Sequence, residues 1–245
     1  LIGKADRNSQ IGKVGIIDRL FEELLRMYGP QGWWPLLTCK GCNPTKTGSS
    51  QGYHPGDYSY PQTDNQRFEI CVGAILTQNT SWPNVEKALF NLAREGLLEP
   101  MIMVADEGKI SQAIKPAGYF NQKTRKLKVF SSFWVNLKGN PKREDLLSLW
   151  GIGPETADSI LLYAFRMPEF VVDTYTRRIL LNLCLIEDED SYDDVKRLLI
   201  SGARNDFRTY QEYHALFVEH AKRYYQKKPY GKDCPLKKLL SAPEI

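Results

Sequence analysis

Long apolar runs are what this chain most lacks. A membrane-spanning helix needs about 20 consecutive, mostly apolar residues, and no segment approaches that length. The N-terminus has no apolar core of the kind that marks a secretory leader. Five cysteines make an odd number with no disulfide-scaffold spacing, which fits a reducing cytoplasm. Alternation of apolar and polar residues, the mark of a half-buried strand, never lasts beyond a few positions, and no internal repeat emerges. The expectation is an all-α protein of the cytoplasm.

What is present is an ordinary globular composition. At 245 residues the chain holds one large domain or two small lobes with a sizeable core. A net charge of +4 and a pI near 8.7 make it mildly basic, compatible with a nucleic-acid partner without demanding one.

Leu1–Lys13 is polar and reads as frayed. Ile16, Ile17, Leu20, Phe21, Leu24 and Leu25 then mark an amphipathic helix ending near Tyr28-Gly29-Pro30. Trp33-Trp34-Pro35 follows, an arrangement that more often anchors a core than binds a ligand. Residues 38–66 form a long polar loop without periodicity, the mark of a functional segment or an insertion. Within it Cys39-Lys40-Gly41-Cys42 is half of a zinc site; no second pair follows at zinc spacing, and His54 and Cys71 complete it only if the fold brings them there. Tyr53, Tyr58 and Tyr60 either lie on a nucleic acid or pack the loop down.

Arg67–Leu76 and Pro83–Ala93 read as helices, the second with Val85, Ala88, Leu89 and Leu92 on one face. Between them Thr77-Gln78-Asn79-Thr80 reads most simply as a helix end and the next cap. Ile102–Ala113 is a further helix, broken by Lys115-Pro116-Ala117-Gly118. Lys123, Arg125, Lys126 and Lys128 then fall within eight residues, either a solvated helix face or phosphate contacts. Tyr192–Ile200 and Tyr210–Tyr225 are the last two predicted helices.

The organising stretch is 146–180. Gly151-Ile152-Gly153 is a tight turn whose two glycines are expected to take positive φ and bare their amides. Pro154 suits the first position of the next helix, where its missing N–H is no loss. Ala157, Ile160, Leu161 and Ala164 give that helix a buried face. Exposed amides at a helix start make a seat for a phosphate. Met167-Pro168 ends the helix, Phe170-Val171-Val172 buries, and Asp173 stands at the N-cap of the helix after it.

The run from Leu149 through Gly151-Ile152-Gly153 to Thr156-Ala157-Asp158, with Val171-Val172-Asp173-Thr174 placed twenty positions after the second glycine, resembles the helix-hairpin-helix DNA glycosylase superfamily. Trp33-Trp34-Pro35, Ala74–Thr80 followed by Trp82, and Pro116–Lys123 extend the resemblance from about Gly12 to Leu236, apart from 38–66. Within the superfamily the chain is similar to the endonuclease III branch, and there to the 3-methyladenine DNA glycosylase III type. The resemblance implies a single unit over 1–245 with two interleaved helical lobes, one from about 68–180 and one from 12–35 with 181–236. It implies that Asp173 is catalytic in the cleft between the lobes. Gln78, with Asn79, would enter the duplex where a base is extruded. Gly151, Ile152, Gly153, Pro154, Glu155 and Thr156 would hold phosphates, with a monovalent cation on the hairpin carbonyls as in relatives. Trp33, Trp34, Pro35 and Trp82 would form an aromatic base pocket, and Lys123, Arg125 and Lys126 would meet phosphates.

Two departures bear on the chemistry. Bifunctional relatives carry, at the place of Glu155, a lysine whose amine attacks the sugar; a carboxylate forms no imine. Of the four cysteines that hold an iron–sulfur cluster in endonuclease III, only Cys234 remains, so no cofactor is expected and local order would come from packing or from Lys222 or Lys228. The resulting expectation is a monomeric, nucleoid-associated, monofunctional DNA glycosylase acting on double-stranded DNA with an alkylated purine such as 3-methyladenine. Other readings are a glycosylase for uracil, mismatched thymine or hypoxanthine, a glycosylase/lyase using Lys123 or Lys222, and a module that only grips DNA.

Overall fold

A computed structural model describes residues 4–45 and 51–240, with side chains from Lys13 onward. The first three residues of the expected frayed segment and 46–50 of the insertion lie outside the described residues. Helix α1 (Lys4–Tyr28) starts well before the apolar period does. Once the amphipathic part has nucleated, extending a helix backward costs about 1 kcal/mol or less per residue, even through Asp6, Asn8, Ser9 and Gly12. Ile17, Leu20 and Leu24 are fully buried.

Helix α2 (Asp64–Leu76) runs through the middle of the molecule and is apolar nearly all round, with Phe68, Ile70, Cys71, Val72, Ile75 and Leu76 buried. Thr63 caps it, its hydroxyl accepting from Gln66 N at 3.2 Å. Helix α3 (Trp82–Arg94) follows. The helix expected over Ile102–Ala113 is two, α4 (Pro100–Ala105) and α5 (Glu107–Ala113). Asp106 ends one and caps the other, taking Lys109 N at 3.1 Å, and a residue in that role is not helical. A 3-10 turn (Lys115–Ala117) leads to α6 (Phe120–Asn136).

The hairpin is α7 (Arg143–Leu147), the turn, and α8 (Pro154–Ser159), which continues as a π turn over Ile160–Ala164. Helices α9 (Thr174–Asn182), α10 (Tyr192–Gly202) and α11 (Phe207–Tyr224) complete the fold, followed by a 3-10 turn over Pro235–Leu240. Helix α1 packs on α10 and α11, whereas α2 packs on α3, α6 and the π turn. Chain ends therefore close around the same helices, and the site lies where α2, α3 and α8 face α11.

The insertion is not a structureless loop. Strands β1 (Gly41–Cys42) and β2 (Gln51–Tyr53) pair antiparallel, too briefly for any alternation to show in sequence. A Cβ at Gly41 would stand 2.0 Å from Tyr53 O, so only glycine lets the strands close. The hairpin is stapled to the tryptophan segment by Leu36 N donating to Gly52 O at 3.0 Å and His54 N to Gly32 O at 3.2 Å.

Near the C-terminus Lys222 pairs at 4.0 Å with Glu219 of its own helix, and Lys228 supplies no ordering. Lys228 is exposed with no ion pair among the described residues, and Lys222 faces a cavity. Cys234 is instead buried, its sulfur 3.2 Å from both Tyr225 OH and His220 Nε2, while Tyr28 OH lies 2.9 Å from His220 Nδ1. Packing and hydrogen bonding around buried Cys234 thus order the segment, beside the pairs of Glu219 with Lys222 and Arg223.

Candidate active site

Asp173 is the N-cap of α9, its Oδ1 accepting Thr176 N–H at 2.7 Å. The side chain is 14% exposed and its other oxygen lies 3.7 Å from His214 Nε2. Burial works against ionisation, but His214 and the Thr176 amide outweigh it and hold the carboxyl below the usual aspartate range. His214 is the residue that sequence reasoning missed. A lone histidine on an amphipathic helix carries no signal, because what matters is its partner 41 positions upstream.

Asp173 and His214 sit on the wall of a cavity of about 440 Å³, lined also by Trp33, Trp34, Trp82, Tyr53, Glu155 and Lys222. The tryptophans form a mutual edge-on cluster, Trp33–Trp82 at 4.6 Å and Trp34–Trp82 at 5.3 Å between ring centres. Each indole N–H is buried without an acceptor among the described residues, the kind of orphaned donor that native proteins confine largely to special sites. Trp34 packs against Gly73 of α2, where a Cβ would come within 3.1 Å of its indole nitrogen. Behind the tryptophans, buried Glu212 accepts from Gln31 N at 2.8 Å, and His54 of the insertion contacts Trp34 O at 3.0 Å. Tyr53, not a DNA-facing tyrosine, becomes a buried wall of the cavity against Trp33. Pro35 does not join the pocket: it lines a second cavity of about 410 Å³ on the far side of Trp82, with Glu69 and Phe90.

Glu155 reaches the same cavity from the first turn of α8. Desolvation in the cleft and the like charge of Asp173 push its carboxyl upward, although one flank of the side chain is open to solvent. Two carboxyls in one cavity are thus driven apart in acidity, Asp173 downward and Glu155 upward.

The hairpin turn differs from expectation at one glycine. Gly151 has φ +84°, and Lys126 lies so close that a Cβ there would meet its Cε at 2.6 Å. Gly153 has φ −97° and ψ 178°, a conformation any residue adopts, and a Cβ on it would meet nothing within 4 Å. Nothing inside the protein requires glycine at 153; the bare face it leaves points outward, beside the α8 N-terminus, which no side chain caps. Arg125 stacks over Trp150 at 4.1 Å, and Lys126 Nζ donates to Gln78 Oε1 at 2.5 Å, placing two cations around the turn.

Lys123 is not among them. It is 2% exposed, and its Nζ donates to Leu76 O at 2.8 Å and Ala117 O at 2.7 Å. Burial, with Lys126 nearby, lowers its pKa to about 8. It works as a staple between the end of α2 and the turn before α6. The two loops so joined each expose a residue in left-handed backbone, Asn79 at φ +54° and Tyr119 at φ +47° and 67% exposed. Gln78, by contrast, is folded back on the hairpin, its Nε2 donating to Gly151 O at 3.1 Å and Thr156 Oγ1 at 2.9 Å. Tyr119 was legible only as an aromatic after a Pro-x-Gly break.

No group of three His, Cys, Asp or Glu that could hold a metal forms among the described residues. Cys42 is exposed, the Cys39 thiol hydrogen-bonds with Tyr60, and both His54 ring nitrogens lie against carbonyl oxygens, at 2.8 and 3.0 Å. The residues around Cys234 do not fit an iron–sulfur cluster, since a phenol and an imidazole occupy the space beside its sulfur.

A helical hairpin whose turn abuts an aspartate-bearing cavity defines the helix-hairpin-helix glycosylase class. Residues 72–204 match the HhH-GPD superfamily base excision DNA repair protein family, and the chain belongs to that family. It is 39% identical over 240 residues to MJ1434 of Methanocaldococcus jannaschii, named as a candidate DNA repair glycosylase, covering 93% of this chain and 96% of that one. Among solved structures it is similar to the H. pylori 3-methyladenine DNA glycosylase bound to 1,N6-ethenoadenine, at 27% identity and a TM-score of 0.63, covering 86% of this chain and 97% of the other. An endonuclease III–DNA complex shares the fold with a TM-score of 0.69 at 19% identity, over 91% and 92% of the two chains.

Proposed function

We propose that the chain is a monofunctional DNA N-glycosylase that hydrolyses the bond between deoxyribose and an N-alkylated purine, 3-methyladenine being the representative substrate. The observation that carries this reading is an Asp173 held ionised on the wall of a tryptophan-lined cavity, with Glu155 where a Schiff-base lysine would stand. A cationic alkylated base gains about 0.5–2 kcal/mol from an aromatic wall, depending on desolvation. It also leaves as a neutral molecule, so little acid catalysis is needed. Asp173 stabilises the positive charge that grows on the sugar. The H. pylori relative, a 3-methyladenine DNA glycosylase bound to 1,N6-ethenoadenine, supports the substrate class.

Around the cavity, the outward face of Gly153 and the α8 amides receive phosphates, helped by Arg125 and Lys126. Asn79 and Tyr119 enter the duplex as the damaged nucleotide leaves the stack, and Gln78 follows once released from the hairpin. The enzyme works as a monomer on double-stranded DNA, without an iron–sulfur cluster.

One observation favours a second reading. Lys222 lines the cavity, and burial lowers its pKa, which is how an amine becomes a nucleophile. Glu219, 4.0 Å away, opposes that by favouring its charged form. Borohydride trapping on abasic DNA tests it: no adduct is expected, and an adduct abolished by Lys222→Met makes the enzyme bifunctional. The substrate class is tested with one duplex sequence carrying single lesions, scored for abasic sites. N-alkylated purines should be released and uracil spared, with release lost in Asp173→Asn; uracil excision without alkylpurine release overturns the assignment.

A further inference from the structure

The hydrolysis proposed above needs a group to take the proton of water, and an Asp173 that stays anionic opposite the sugar cannot also keep that proton. His214 is placed for the task. Gln211 O can only accept, so Tyr163 OH, 3.2 Å away, donates to it. The Tyr163 oxygen then accepts from His214 Nδ1–H at 2.7 Å. This order of donors assigns the neutral ring's proton to Nδ1 and leaves a lone pair on Nε2. Nε2 stands 3.7 Å from Asp173 Oδ2, well beyond the ~2.8 Å of an N–H···O⁻ bond, and takes no hydrogen bond among the described residues. The side chain is 8% exposed and lines the cavity. Two acceptors at that separation leave room for one water giving a proton to each at about 2.8 Å.

We propose that His214 is the general base of the reaction, holding the attacking water together with Asp173 and taking its proton on Nε2. The inference rests on the glycosylase reading of the site. Water oxygen bonds to C1′ as the C1′–N bond breaks; the electron pair of that bond leaves with the base, and the water proton passes to Nε2. A cationic alkylpurine thereby departs neutral, and the imidazolium later releases its proton to solvent. Asp173 remains ionised throughout, facing first the charged sugar and then the charged ring. The charged and titratable groups facing His214 are Asp173 from the start of α9, Glu155 from α8 and Tyr163 from the π turn. Glu212 and Lys222 lie on its own helix.

Single-turnover release of 3-methyladenine from a duplex, measured across pH, tests the assignment in the full chain. Wild type should slow on the acidic side as His214 takes a proton. His214→Gln can hold the water but not accept its proton, so the rate should fall about 10²- to 10⁴-fold, with the acidic limb flattened and affinity for abasic DNA kept. Tyr163→Phe frees the tautomer while keeping the ring in the core, and should slow release less; it serves also if His214→Gln does not fold. A His214→Gln or Tyr163→Phe enzyme with wild-type rate and pH profile, beside an inactive Asp173→Asn, overturns the general-base role and leaves the glycosylase reading standing. Wild-type release by Asp173→Asn overturns both.

Discussion

Gln78 Nε2 donates to the carbonyl of Gly151 at 3.1 Å, so the residue expected to enter DNA is tied to the turn expected to grip it. Thr156 Oγ1 and Lys126 Nζ hold the same amide, at 2.9 and 2.5 Å. Entry of Gln78 into a duplex must break these bonds, and each is worth about 0.5–1.5 kcal/mol net in the free protein. If Gln78 does enter the duplex, hairpin and wedge are coupled: phosphate binding at the turn that displaces Lys126 would loosen Gln78.

Gln78→Ala separates a latch from a wedge. Both roles predict a lower melting temperature, by the loss of those bonds. Only a wedge predicts in addition that lesion release under limiting enzyme falls, by about tenfold for an amide contact of 1–2 kcal/mol. Melting curves and kcat/KM on the same preparations decide it; reduced stability with unchanged kcat/KM means that Asn79 and Tyr119 fill the gap alone.

Trp82 stands between the two cavities, so its removal joins them. Trp82→Ala should reduce release of cationic bases by up to about thirtyfold, the upper end of a desolvated cation–π contact. Neutral hypoxanthine or etheno-adenine, which gain only packing from the ring, should lose less. The ratio of release rates for 7-methylguanine and etheno-adenine, in wild type and variant, is the measurement. An equal loss on both shows that the wall acts by shape rather than by charge.

These tests turn on residues of unequal legibility. Gly151, Pro154 and Asp173 were readable because turn, first-turn proline and N-cap are local devices, written within a few residues of one another. The resting partners of Lys123 and Gln78 are not legible in sequence because they include carbonyls 47 and 73 positions away, and a polar side chain does not announce a backbone acceptor. Pro35 lines the second cavity together with Gln51 and Gly52 of the insertion hairpin, a placement that its neighbours in sequence do not write. His214 was invisible for the same reason as Lys123, its value lying wholly in what the tertiary fold sets beside it.

Glu69, on the wall of the second cavity, gives a pH signature unconnected with catalysis. Burial pushes its carboxyl up to about 7, although Leu37 N–H at 2.7 Å pulls the other way. The folded pKa exceeds the unfolded value of about 4.3, so the folded state binds more protons between the two. Stability is then full below about pH 4, falls as pH rises toward 7, and is flat above, by up to roughly 3 kcal/mol in all. Glu69→Gln keeps the acceptor for Leu37 and removes the charge. Urea melts at pH 5 and pH 8 should show the variant gaining on wild type only at the higher pH; a constant difference would assign the slope elsewhere.

Asp158, on the buried side of α8, is the strongest structural tie of the hairpin. It is fully buried and accepts from Arg143 Nε at 2.7 Å, Tyr192 OH at 2.9 Å and Lys196 Nζ at 2.9 Å, while Lys196 also pairs with Glu169. One carboxylate thus joins both hairpin helices to α10 and holds in place the segment that delivers Asp173. Desolvating these groups was costly, so intact they add little net stability, but removing one partner strands the others. Asp158→Ala should cost about 3–5 kcal/mol, whereas Arg143→Met, whose side chain is partly exposed, should cost distinctly less. If the network also sets the position of Asp173, the residual folded Asp158→Ala protein at low temperature should release base more slowly than its folded fraction accounts for. Chemical denaturation paired with activity normalised to that fraction separates the two effects, and full specific activity would confine Asp158 to stability alone.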